Sequence, residues 1–205
     1  MNINNNIFVS TVNFSYRIKS IKLLKNAEKA VISNLFETCK NHADAGNSQA
    51  MVNLGWLYKH GIGVERNYFT AYTWFMRGSI TDNSNANYNI GLLYLKGLGV
   101  KQDIVQGLNL LTDSADKKNS IAMKIIGDYY FEKNDLDSAL KWYKLSISYG
   151  NVYALNMAGQ IYEKQGNYDD AGATYEKAAN FNIQEAKQNL ENLRNNILNK
   201  IVIDV

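Results

Sequence analysis

Ala50-Met51-Val52-Asn53-Leu54-Gly55-Trp56-Leu57-Tyr58-Lys59-His60-Gly61-Ile62-Gly63-Val64 is the stretch from which the fold follows. Ala50, Leu54 and Leu57 fall four and three apart, on one side of a helix. Gly61 and Gly63 then mark a turn that glycine's tolerance of positive φ allows. The pattern recurs as Ala86-Asn87-Tyr88-Asn89-Ile90-Gly91-Leu92-Leu93-Tyr94, closed by Lys96-Gly97-Leu98-Gly99-Val100. It recurs again as Ala122-Met123-Lys124-Ile125-Ile126-Gly127-Asp128-Tyr129-Tyr130 and as Ala154-Leu155-Asn156-Met157-Ala158-Gly159-Gln160-Ile161-Tyr162.

Gly55, Gly91 and Gly127 are 36 residues apart, and Gly127 and Gly159 are 32 apart. The difference lies in the turn, where the later copies carry Lys133-Asn134-Asp135 and Gln165-Gly166-Asn167 in place of the Gly-x-Gly-Val run. The second half of each unit repeats as well. Ala71, Gly107, Ala139 and Ala171 correspond, aromatics follow at Trp74-Phe75, Trp142-Tyr143 and Tyr175, and small residues come next at Gly78-Ser79, Ser114-Ala115, Ser146 and Ala178-Ala179. Two amphipathic helices per unit cannot bury their apolar faces alone, and stacking the units does so. A glycine in mid-helix costs about 1 kcal/mol relative to alanine, so its recurrence points to a packing need.

The run Ala50, Leu54, Gly55, Tyr58, Gly61, Gly63 and Val64 resembles the Sel1-like repeat family, a relative of the tetratricopeptide repeat. The third and fourth copies, without the Gly-x-Gly-Val turn, are more similar to tetratricopeptide repeats, and a change of curvature near residue 133 is expected. The resemblance implies an all-α fold, an α-α superhelix (solenoid) of helix pairs. The expected organisation is a flexible segment over 1–13, a degenerate N-terminal helix pair over 14–48, repeats over 49–84, 85–120, 121–152 and 153–182, and a capping helix and tail over 183–205. Within the first cap, residues 14–25 and 27–45 are the two expected helices, Ile7-Phe8-Val9 reads as strand or loop, and the apolar tail Ile201-Val202-Ile203-Asp204-Val205 has no assigned role.

Composition narrows the function. Proline is absent, where an ordinary chain holds about 5%, which suits helices joined by short turns. Net charge is +3, so global charge does not point to nucleic acid. Residues 1–66 carry a net +4 and residues 134–205 a net −2, a distribution that would steer an acidic partner towards the N-terminal end. Arg17, Lys19, Lys22 and Lys25 form the one basic run, which reads as a solvated face before it reads as a nucleic-acid contact. Cys39 is the only cysteine, so no intrachain disulfide forms, as suits a reducing compartment. No signal peptide and no membrane-spanning run is visible, and a cytoplasmic location is expected.

Signs of catalysis are sparse. His42 and His60 are the only histidines; Cys39 and His42, three apart on one helix, fall short of a four-ligand zinc pattern. Nothing near Cys39 would lower its pKa. The Gly-x-Gly runs lack the Lys-Ser/Thr of a phosphate loop and follow no strand, and Asp169-Asp170 reads as the start of a helix. No catalytic residue, metal or cofactor is expected, and no small-molecule substrate.

The resemblance also implies that the first helix of each unit lines a concave groove. Counting from each glycine, the groove-facing positions are Val52, Trp56, Lys59 and His60; Tyr88, Leu92, Leu95 and Lys96; Lys124, Asp128 and Phe131; and Tyr153, Asn156 and Gln160. Glu132, Glu163 and Lys164 extend the same faces. Large apolar and aromatic side chains on such a surface mark a binding site for another protein. The expected function is therefore a non-catalytic protein-binding module. Its favoured specific case is a bacterial immunity protein that masks a toxin domain, with an adaptor or chaperone for a peptide segment, or a nucleic-acid-binding protein, as alternatives. The partner's identity and the oligomeric state are not encoded in any motif.

Overall fold

The computed structural model describes residues 28–203, with side chains over 31–199. The readings made for residues 1–27, including the expected helix over 14–25 and the basic run, and for the last two residues lie outside this range. Among the described residues there are ten helices and no strand: α1 (Glu28–Asp44), α2 (Ser48–His60), α3 (Tyr68–Ser79), α4 (Ser84–Lys96), α5 (Ile104–Asp116), α6 (Ser120–Glu132), α7 (Leu136–Ser148), α8 (Tyr153–Lys164), α9 (Tyr168–Asn180) and α10 (Gln184–Ile203). They fall into two compact units that divide between Lys117 and Lys118, α1–α5 in unit 1 and α6–α10 in unit 2.

Asparagine and aspartate start most of these helices. The Asn47 carboxamide accepts from the Ala50 N–H at 2.9 Å, Asn67 from Thr70 at 2.9 Å, and Asp103 from Gln106 at 2.9 Å. Asn83, Asn119, Asp135 and Asn167 cap α4, α6, α7 and α9 in the same way. Each cap satisfies an N–H that the helix itself cannot and contributes about 1 kcal/mol. At the other end, Gly61 and Gly97 adopt left-handed φ of 65° and 62°. The following N–H groups, Ile62 and Leu98, return to the carbonyls of Leu57 and Leu93 at 3.1 and 3.0 Å. That closure folds an apolar residue under the helix end, where Ile62 joins the buried cluster of Cys39, Ala43, Ala50, Leu54 and Leu57.

The four mid-helix glycines have one explanation. A Cβ on Gly55 would stand 2.7 Å from the Phe75 ring, one on Gly127 2.7 Å from the Tyr143 ring, and one on Gly159 2.6 Å from the Tyr175 ring. At Gly91 it would meet the Gly107 carbonyl oxygen and Leu111 Cγ, both at 2.9 Å. Each glycine is thus the socket into which the partner helix inserts its largest core side chain, and Phe75, Tyr143 and Tyr175 are fully buried. Antiparallel pairing is also tied at the helix ends: Ser114 donates to the Ser84 carbonyl at 2.7 Å, Ser146 to the Ser120 carbonyl at 2.6 Å, and Ser48 to the Gly78 carbonyl at 2.9 Å.

Candidate functional site

The positions expected to face a groove divide by unit. In unit 1, α2 and α4 bring the first-repeat and second-repeat positions side by side. Their last turns, with the turns that follow, enclose a cleft of about 320 Å³ lined by Lys59, His60, Arg66, Tyr68, Leu92, Leu93, Lys96 and Leu98. Lys59 Nζ donates across it to Asn89 Oδ1 at 3.1 Å. The Trp56 and His60 rings lie 4.2 Å apart on the α2 side. Burial, helped by the positive charge of Lys96, pulls the Lys59 ammonium down to about 8.

Several of the sequence expectations need correcting. Val52 is only 2% exposed and packs with Phe75, Ala86 and Ile90, because α2 is enclosed by α3 and α4 on that side. It is a core residue and not a groove side chain. Leu92, 9% exposed, is the floor of the cleft, and Asn156 is buried and accepts from Asn189 Nδ2 at 2.9 Å. Leu95 is partly buried, its side chain resting on Gly107 of α5. Trp56 and Tyr88 are also partly buried, and Trp56 packs against the core clusters on both sides of α2.

In unit 2 the expected positions are engaged with their own unit. Lys124 pairs with Asp128 at 2.8 Å, and Asp128 also accepts from the Tyr143 hydroxyl at 2.9 Å. Phe131 lies beneath the Lys164 ammonium, 4.5 Å from its ring centre. Gln160 is partly buried, while Tyr153 is 59% exposed. A second cleft, of about 380 Å³, opens between Glu163, Tyr168, Leu193, Asn196, Ile197 and Asn199. Glu163 there accepts from the Tyr175 hydroxyl at 2.8 Å.

Sequence reasoning missed Arg66, Tyr68 and Leu98, which sit on turns and at a helix start rather than on a first helix. The repeat alignment held the signal: Arg66 and Gln102 occupy matching places, and each folds its Cβ over the αL glycine that ends the preceding helix, at 3.1 and 3.2 Å from a Cβ there. It also missed an apolar stripe on the open side of α3, Phe69, Met76 and Ile80, of which Ile80 is the most exposed at 83%.

Cys39 is fully buried, which pushes its thiol up to about 12 and withholds the thiolate, while His42 on the same helix is exposed. Among the described residues no cluster of three or more His, Cys, Asp or Glu is placed to hold a metal ion, and no helix is long and apolar enough to cross a membrane.

Comparison with known proteins agrees with this geometry. The Sel1 repeat matches residues 48–77, 84–119 and 126–151, and the tetratricopeptide repeat matches residues 152–182. A search of curated proteins found no match. Among solved structures, a Sel1 repeat protein from Oxalobacter formigenes is 26% identical with a TM-score of 0.63, covering 80% of this chain and 73% of that one. A protective antigen of uropathogenic Escherichia coli that displays an SLR fold is 24% identical with a TM-score of 0.64, covering 89% of this chain and 44% of that one. An immunity protein from Pseudomonas aeruginosa is 24% identical with a TM-score of 0.56, covering 74% and 62%. These likenesses place the fold in the α-α superhelix (solenoid) class. With recurring Ala-x3-Leu/Ile/Ala-Gly-x2-Tyr helices, each glycine seated on a partner side chain, the chain carries three Sel1 repeats followed by a tetratricopeptide repeat.

Proposed function

We propose that the chain is a non-catalytic protein-binding module and that the last turns of α2 and α4 in unit 1 form its principal contact with a partner. One observation carries this reading: Lys59 and His60 of one repeat and Leu92 and Lys96 of the next meet in one cleft. Repeat folds of this kind serve as scaffolds for protein partners, and the step from fold to role needs a site of this sort. The specific case we favour is an immunity protein that masks a toxin domain. The similar Pseudomonas aeruginosa structure is an immunity protein, a likeness that by itself speaks for the fold. In this reading the partner is a folded protein bound one to one in the cytoplasm.

The test is co-purification from the native cell with the wild-type chain and with a His60→Ala variant, followed by titration calorimetry on the purified partner. The expected result is one stoichiometric partner whose affinity falls by about 1–2 kcal/mol or more in the variant while the melting curve is unchanged. Inhibition of a purified toxin by the chain identifies the immunity role; weak binding of a short peptide segment instead identifies an adaptor. A partner held equally by both proteins places the contact elsewhere.

A further inference from the structure

Three lysines among the described residues are partly buried: Lys59, Lys117 and Lys124. Lys117 faces Asp82 and Asp113, and Lys124 faces Asp128. Lys59 faces another cation. Among the described residues it donates to the neutral Asn89, and Lys96 lies close enough to lower its affinity for a proton. Arg66 adds a third fixed positive charge at the rim. No carboxylate is among the residues that line the cleft, and no ion pair among the described residues involves Lys59, Arg66 or Lys96.

The C-terminal ends of α2 and α4 favour cations in their last turns. That effect is confined to a fraction of a charge at each end, and it leaves the Lys59 and Lys96 ammonium groups in one cleft with Leu92 and Leu98. Half-buried charge without a counter-charge is unfavourable, and an anion entering the cleft relieves it. The floor decides which anion. Leu92, 9% exposed, and the half-buried Leu98 suit the methylene stem of a side chain that ends in a carboxylate, with the charge at the rim and the carbon chain below it.

We propose that this cleft is a pocket for an acidic side chain of the partner protein, with the carboxylate held between Lys59 and Lys96 and the stem resting on Leu92 and Leu98. The proposal rests on the protein-binding reading and names the chemistry of its central contact. Arg66, turned over Tyr68 with its guanidinium carbon 5.5 Å from the ring centre, closes the outer side. The partner surface that fits carries Glu or Asp beside an apolar residue.

The closing experiment uses the full chain and a fluorescent peptide of alternating Glu and Leu, acetylated and amidated so that side chains carry its only carboxylates. Its Gln-Leu counterpart is the control. The Glu peptide is expected to bind roughly tenfold tighter than the Gln peptide, because charge-assisted hydrogen bonds replace neutral ones. Lys59→Gln and Lys96→Gln should each abolish that preference while the circular dichroism spectrum is retained. Lys117→Gln, whose lysine already has carboxylate partners, should keep it. Equal binding of the two peptides, or a preference that survives both cleft substitutions, overturns the pocket. A single-stranded oligonucleotide that binds tighter than the Glu peptide, and is lost in the same variants, overturns it in favour of nucleic acid. A natural partner that depends on His60 but ignores Lys59 and Lys96 overturns the pocket and leaves the protein-binding reading intact.

Discussion

Unit 1 and unit 2 close the same helix junction over loops of different length. In unit 1 the N–H groups of Asn67 and Asp103 donate to the carbonyls of Tyr58 and Tyr94. In unit 2 those of Asp135 and Asn167 donate to Tyr130 and Tyr162. The hydrogen bond is the same, and the four extra residues of unit 1 bulge out of it. They serve to pack: a Cβ on Gly63 would touch Ile32 and Phe36 of α1, and one on Gly99 would collide with the backbone at Tyr68 and Phe69. The units differ again beneath the helical glycines. Unit 1 fills the socket with Phe75 and Leu111, whereas unit 2 uses Tyr143 and Tyr175. A buried hydroxyl must find an acceptor, and Asp128 and Glu163 supply it. At the positions matching Asp128 unit 1 carries Trp56 and Leu92, and at those matching Glu163 it carries Lys59 and Leu95. Core chemistry thus decides that unit 2 uses its first-helix charge internally while unit 1 keeps uncompensated cations at a surface cleft.

The largest expected effect breaks the feature that both units share. Gly91→Leu forces a branched side chain against the Gly107 carbonyl and Leu111, one of them backbone that cannot swing aside. It should cost about 3 kcal/mol or more, read as a shift of the urea midpoint. Gly172→Ala is the contrast. Its new Cβ would meet only Leu193, at 3.8 Å, so better helix propensity should stabilise the chain by up to about 1 kcal/mol. An equal response at the two glycines would remove the socket explanation.

A smaller effect exchanges the two solutions. Phe75→Tyr in unit 1 adds a hydroxyl facing the side of α2 that holds Trp56 and Lys59, where no carboxylate stands at the matching positions. An unsatisfied buried hydroxyl should cost about 2 kcal/mol. Tyr143→Phe in unit 2 should cost only about 1 kcal/mol, since Asp128 keeps its pairing with Lys124. Denaturation that found Phe75→Tyr neutral would show that the phenol reaches an acceptor in unit 1 too, and the contrast between the units would lose its chemical basis.

Much of this was legible because helix periodicity and a fixed glycine are strong signals. The helix pairs and the close approach at Gly55, Gly91, Gly127 and Gly159 follow from the repeat alone. The surface was less legible. A helix wheel sorts residues by one buried face, yet α2 is packed by α1, α3 and side chains of α4, so Val52, on the side expected to be open, is covered. The alignment sets Asp128 on the groove face and does not show that Tyr143 brings a hydroxyl to it. The asparagines, which composition alone leaves unexplained, turn out to start helices at Asn47, Asn67, Asn83, Asn119 and Asn167. Their place just before each apolar run was available in the sequence.

The smallest effect sharpens the comparison through pH. Lys59 holds its proton only up to about pH 8 in the fold, against 10.5 for an unhindered lysine. Below pH 8 both the folded and the unfolded chain carry this charge, and the fold bears it unfavourably. Between 8 and 10.5 the unfolded chain binds the extra proton, so the folded chain gains relative stability as pH rises. Cys39 and Tyr72, both raised to about 12, act in the opposite sense once the unfolded thiol and phenol begin to ionise, near 9 and 10. The clean window is therefore the unit above pH 8, and the comparison is with Lys59→Met, which keeps the packed stem and removes the charge. Wild type should gain on the order of 1 kcal/mol over that unit relative to the variant. Lys124→Met, from a lysine already paired with Asp128, should show no such gain. Parallel stability curves for wild type and Lys59→Met would mean that the charge in the cleft is already solvated, and the distinction between compensated and uncompensated units would reduce to packing alone.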